Sequence, residues 1–215
     1  MIYLKKGVRL KSLIYLIGCI FALLMFSLCF KDFFLSEREQ FEIAQQADAL
    51  KEYKKAEKYY LLASYKENEV IQKLSWYYLG LLYKKQEAFG VKNFKKSEQY
   101  LEKSAKKGLA QAQYELALLY ETGDKVPENQ EKASFYMKEA ALQNFAPAQY
   151  ALAVWIERGY VLGMTQQEAF SFYEKAANQG YIPAQKGLAL IYKMGGLGIQ
   201  PDAEKAQYWL QQFSK

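Results

Sequence analysis

The stretch Ala112-Gln-Tyr-Glu-Leu-Ala-Leu-Leu-Tyr-Glu-Thr-Gly123, followed after a loop by Lys132-Ala-Ser-Phe-Tyr-Met-Lys-Glu-Ala-Ala141, decides the fold. Ala112, Leu116 and Tyr120 stand four apart, which puts them on one face of a helix, and Ala117 widens that face. Gly123 is expected to end the helix, since it takes the left-handed C-cap conformation without steric cost. Asp124–Gln130 contains Pro127 and reads as a loop. Ala133, Tyr136, Met137, Ala140 and Ala141 then form the apolar stripe of a second helix, which Asn144 is expected to close. The unit Ala110–Phe145 is a helix–loop–helix hairpin.

The same pattern returns every 36 residues: Leu116, Leu152, Leu188; Ala112, Ala148, Ala184; Ala117, Ala153, Ala189; Tyr120, Ile156, Tyr192; Gly123, Gly159, Gly195. Gly108, Asn144 and Gly180 extend the register. A period of this length marks stacked supersecondary units whose core exists only between neighbours.

These residues resemble a Sel-1-like repeat, a relative of the tetratricopeptide repeat. Ala148–Ala177 and Ala184–Phe213 are similar to two further copies, and Ser75–Ala105 resembles a diverged one through Leu79-Gly80 and Tyr83. Ile43-Ala44, Ala47, Ala56, Tyr60 and Ala63 fit the ordinary tetratricopeptide spacing, with a short turn at Lys51–Glu52. The resemblance implies an all-α fold, a right-handed α–α superhelix of about five helical hairpins over residues 40–213 (approximately 40–68, 70–108, 110–144, 146–180 and 182–213). It also implies an adaptor for a protein or peptide. Cysteine-rich members of the family bridge each repeat, a pattern from which this chain departs. Its Cys19 and Cys29 both fall in the front segment.

That segment has a different character. Leu13–Phe30 is 18 residues without a charge, preceded by Lys5, Lys6, Arg9 and Lys11 in a basic stretch 1–12. As a helix it would extend about 27 Å at ~1.5 Å per residue, enough to cross a bilayer core of roughly 30 Å. The flank after it is mixed in sign, so the positive-inside rule keeps the N-terminus in the cytoplasm and sends the repeats across the membrane after a linker at 31–39. A retained anchor in a bacterial inner membrane, repeats in the periplasm, is the first reading. Cleavage as a signal peptide, giving a secreted protein that engages host or cell-surface molecules, and lipidation at Cys19 after Leu16-Ile17-Gly18 are the alternatives.

Once divided, the net charge of +6 loses its meaning as a binding signal, because residues 31–215 carry 25 basic against 23 acidic residues. Nucleic acid is therefore not an expected partner. The sequence contains no histidine, which removes the usual general base and the commonest metal ligand. No catalytic residue, metal, cofactor or small-molecule substrate is expected. Gly195-Gly196-Leu197-Gly198 lacks the Lys-Ser/Thr of a phosphate loop and reads as a helix-ending turn. Glu115, Glu139, Glu157 and Glu174 read as solvated carboxylates beside lysines.

The 19 tyrosines divide by register. Tyr83, Tyr120 and Tyr192, with Tyr60, Tyr100 and Tyr136 from second helices, are expected to pack hairpins together. The family resemblance places the first helices on a concave side. Residues two before the Leu–small pair, Tyr77, Tyr114 and Tyr150 with Lys186, would point into it. One turn on stand Lys84, Glu121, Glu157, Arg158 and Lys193. An aromatic stripe with mixed charge suits a peptide groove; stabilisation of adjacent repeats is the competing role for the same tyrosines.

Overall fold

Small residues at helical spacing let the helices of each hairpin approach closely, and the computed structural model shows the result. It describes residues 35–65, 67–85, 90, 93–121 and 126–213. The apolar segment 13–30, its basic flank and Gly123 lie outside the described residues. Among those described there are ten α-helices, and no helix is long and apolar enough to cross a membrane.

Two units are present, divided after Lys66. In the first, α1 (Glu37–Ala49) and α2 (Tyr53–Ser64) form one hairpin around Ala44, Ala47, Ala56, Tyr60 and Ala63. Helix α1 begins inside the stretch expected as a linker. Ser36 and Glu39 make a reciprocal capping box there, satisfying two otherwise orphaned backbone amides. Lys51 turns the chain at φ +61°, within the expected Lys51–Glu52 turn.

The second unit holds four hairpins: α3 (Glu69–Lys84) with α4 (Phe94–Lys106), α5 (Ala110–Glu121) with α6 (Gln130–Leu142), α7 (Ala146–Glu157) with α8 (Gln166–Asn178), and α9 (Ile182–Met194) with α10 (Ala203–Gln212). From α3 to α10 each consecutive pair of helices is packed together, as stacked repeats require. The expected stripe of α6 is buried residue for residue. Each second helix opens on a polar side chain that accepts from the backbone three residues on: Asn93, Asn129, Thr165 and Asp202. Asn144 closes α6 at φ +62°, where Gly108 and Gly180 stand at +77° and +82°. The glycine-rich run forms a tight turn, Gly196 and Ile199 exchanging both backbone hydrogen bonds, so the helix-ending reading holds.

Candidate functional site

The row of first helices α3, α5, α7 and α9 carries the candidate residues. Tyr114 and Tyr150 are half-buried, and each meets the aromatic residue that opens the next first helix. The Tyr114 ring lies 5.6 Å from Phe145, edge-on, and Tyr150 lies 5.6 Å from Tyr181. Tyr150 also meets Tyr173 of α8 at 5.7 Å. In the last repeat Lys186 takes the tyrosine's place, its ammonium 5.4 Å from the ring of Phe213. Tyr77 is half-buried beside Tyr78. Burial, then the Glu115 carboxylate, pushes its hydroxyl up to about 12. Tyr114 and Tyr150 therefore seal joints between repeats with one edge and leave the other accessible.

Two of the charged candidates, Lys84 and Glu157, are tied to a neighbouring helix. Lys84 pairs with Glu115 of the next hairpin, so this lysine–carboxylate link crosses a repeat boundary instead of following a helix face. Glu157 accepts a hydrogen bond from the Tyr173 hydroxyl at 2.8 Å. That bond, after burial, raises the Tyr173 hydroxyl far above the ordinary tyrosine range. Arg158 and Lys193 are exposed, and Glu121 is half-buried at the end of α5. Of the packing tyrosines, Tyr60, Tyr83, Tyr120, Tyr136 and Tyr192 are buried as expected. Tyr100 is only half-buried, stacked on Tyr83 with ring centroids 5.7 Å apart.

A second periodic device is polar. Gln113, Gln149 and Gln185 are buried, and each side-chain amide donates to the carbonyl eight residues earlier, of Ala105, Ala141 and Ala177. Gln143 donates in turn to Gln113 and Gln179 to Gln149, at 2.6 and 2.7 Å. A cation–π series accompanies it: Lys96, Lys132 and Lys205 hold their ammonium groups 4.7, 5.0 and 5.2 Å from the rings of Tyr83, Tyr120 and Tyr192. The glutamines recur every 36 residues and the lysines at 36 and then 73, echoes of polar residues that an apolar stripe does not show. Among the described residues no cluster of acidic residues can hold a metal ion.

Stacked two-helix units of one register define an α-helical repeat protein. The Sel1 repeat model matches residues 46–68, 77–109, 110–145, 146–181 and 182–215, and the chain belongs to that family. A Sel1 repeat protein from Oxalobacter formigenes is similar at 26% identity and TM-score 0.66, over 82% of this chain and 51% of that one. The antigen c5321 of uropathogenic Escherichia coli, described as protective and as displaying an SLR fold, is similar at 27% identity and TM-score 0.68. That match covers 83% of this chain and 38% of that one, so the present chain spans about half or less of either relative's length. No curated protein sequence matches.

Proposed function

We propose that the chain is a membrane-anchored bacterial scaffold whose repeats face the periplasm and hold a protein or peptide partner along the α3–α5–α7–α9 row. Sel1 repeats generally mediate protein–protein interactions. The observation that carries the site is the set of half-buried tyrosines Tyr77, Tyr114 and Tyr150, one on each of α3, α5 and α7, with the exposed cations Arg158 and Lys193 near the helix ends. Tyrosine offers rigid amphipathic contact area at low entropic cost. Support for the anchor comes from the uncharged run Leu13–Phe30 behind four basic residues. The scaffold acts by binding and not by catalysis.

The test is affinity capture from envelope fractions with the full chain, repeated with Arg158→Glu/Lys193→Glu and with Tyr114→Ala. Partners retained by the parent chain and lost with the charge-reversed variant support the groove. Partners retained equally by all three overturn it. A C-terminal alkaline phosphatase fusion that is inactive in whole cells would overturn the periplasmic placement.

A further inference from the structure

The turn between α7 and α8 displays an apolar side chain that none of the described residues covers. Leu162 is 88% exposed at the tip of Val161–Gly163, where Gly163 adopts φ +76°. Beside it, Tyr160 is 49% and Phe135, on the outer face of α6, is 56% exposed. The three line a groove of about 500 Å³ with Ser134, Lys138 and the buried Val161. Its wall is held in place by Gln130, whose side-chain amide donates to the carbonyl of Tyr160 at 3.1 Å. Solvated apolar side chains gathered in a formed groove mark a contact surface, whereas scattered ones do not.

The adjoining depression, about 610 Å³, continues this groove past Gln130 and Tyr160 and is lined by Glu121, Glu128 and Gly159. Two carboxylates face it, and no lysine or arginine is among its described lining residues. The pair of depressions thus combines an apolar slot with an acidic end, and the complement of that pattern is an apolar side chain joined to a cation.

We propose that this surface docks an extended peptide segment of a partner protein, seating a leucine-like side chain between Phe135, Tyr160 and Leu162 and an arginine or lysine against Glu121 and Glu128. The site is built from the end of α5, from Glu128 and α6, and from the turn after α7, and shares only Glu121 with the tyrosine row. An arginine fits the acidic end best, since its planar guanidinium meets carboxylates through paired hydrogen bonds.

The experiment uses fluorescein-labelled decapeptides containing one Arg and one Leu separated by one to four Ser/Gly residues, titrated onto the full chain and read by anisotropy. A parallel set carries Glu in place of Arg. At least one Arg/Leu spacing should bind tenfold or more tightly than its Glu/Leu counterpart. Leu162→Ser, which removes an exposed side chain, and Glu128→Lys should each weaken that peptide about tenfold. Glu128→Lys should also restore binding of the Glu/Leu peptide. Equal binding of both peptide sets, no binding at any spacing, or indifference to Leu162→Ser would overturn the docking site and leave the reading of the tyrosine row to its own test.

Discussion

The side-chain amide of Gln179 reaches back from the end of α8 to donate to Oε1 of Gln149, 2.7 Å away, while the Gln149 amide donates to the carbonyl of Ala141 in the preceding hairpin. One buried glutamine thus joins its own hairpin and its neighbour. In the last hairpin the chain of donors stops, for Oε1 of Gln185 is buried with no donor among the described residues.

That difference makes the glutamines an internal control. Gln149→Ala removes three side-chain hydrogen bonds at once, to the Ala141 carbonyl, to Asn144 Oδ1 and from the Gln179 amide, and should cost about 1–3 kcal/mol. Gln185→Ala removes a single donated bond together with an acceptor already unmet, so its cost should be clearly smaller. Urea unfolding followed by circular dichroism decides this, and equal losses would show that the glutamines act only as space-filling side chains.

Packing between α3 and α4 gives a second test. A Cβ on Gly80 would stand 2.6 Å from Cγ of Leu101, a branch point and not a flexible chain end. Alanine gains about 1 kcal/mol over glycine in a helix interior, but overpacking a fully buried neighbour costs roughly 1–3 kcal/mol. Gly80→Ala should therefore destabilise in spite of its better helix propensity. Ala140→Leu, at a fully buried joint, should lose a similar 1–3 kcal/mol. A neutral result for either in thermal unfolding would mean the joint relaxes.

Alkaline pH should unfold the repeats. Burial, followed by donation to Glu98 and Glu157, raises the hydroxyls of Tyr120 and Tyr173 well beyond the ordinary range, and Tyr77 rises to about 12. In the unfolded chain tyrosine releases its proton near pH ~10. Above that the unfolded state holds fewer protons than the folded one, and stability falls as pH rises. Below it the tyrosines contribute no pH dependence. On the acid side, hydrogen bonds from Thr165 hold Glu168, and bonds from Lys205 hold Asp202, below the usual carboxylate range. Their small contribution is lost as pH falls through that range. With no histidine, stability should be flat from roughly pH 5 to 9. Near-ultraviolet tyrosinate absorbance followed beside circular dichroism is the measurement. Full ionisation of the tyrosines with the helices intact would refute the assignment.

Replacing Lys5, Lys6, Arg9 and Lys11 by Glu should impair or invert membrane insertion if the basic flank sets topology. Carbonate extraction and the phosphatase fusion read the outcome. Unchanged phosphatase activity would show that the flank does not set topology.

The architecture was legible because its signal is apolar and periodic. Leu116, Leu152 and Leu188 sit at the centre of α5, α7 and α9, fully buried as their spacing predicts. The candidate groove was legible only in part. Spacing placed Tyr114 and Tyr150 two residues before those leucines, but no helical wheel shows that Phe145 and Tyr181, 31 residues on, turn back against them. The same limit hid the partner of Lys84, since Glu115 comes from the next hairpin and not from a position four residues away. The cation–π series could have been read directly. Where Tyr gives way to Ile156 in the register, Lys gives way to Glu168, so the two positions change together within one chain.

The glutamine links also govern how this chain can change length. Excising residues 110–145 would join Leu109 to Ala146 and bring Gln149 to the place of Gln113, within reach of the Ala105 carbonyl. Individual pairs such as Lys84–Glu115 would go, Ala151 standing in the carboxylate's place, while the backbone register closed without a seam. Removing a single residue from α7 would instead rotate everything after it by about 100° about the helix axis and take Leu, Ala and Gln off their partners at once. Genetic slippage by a whole hairpin is therefore milder than slippage by one codon, so the number of hairpins is the quantity that descendants of this chain are free to vary.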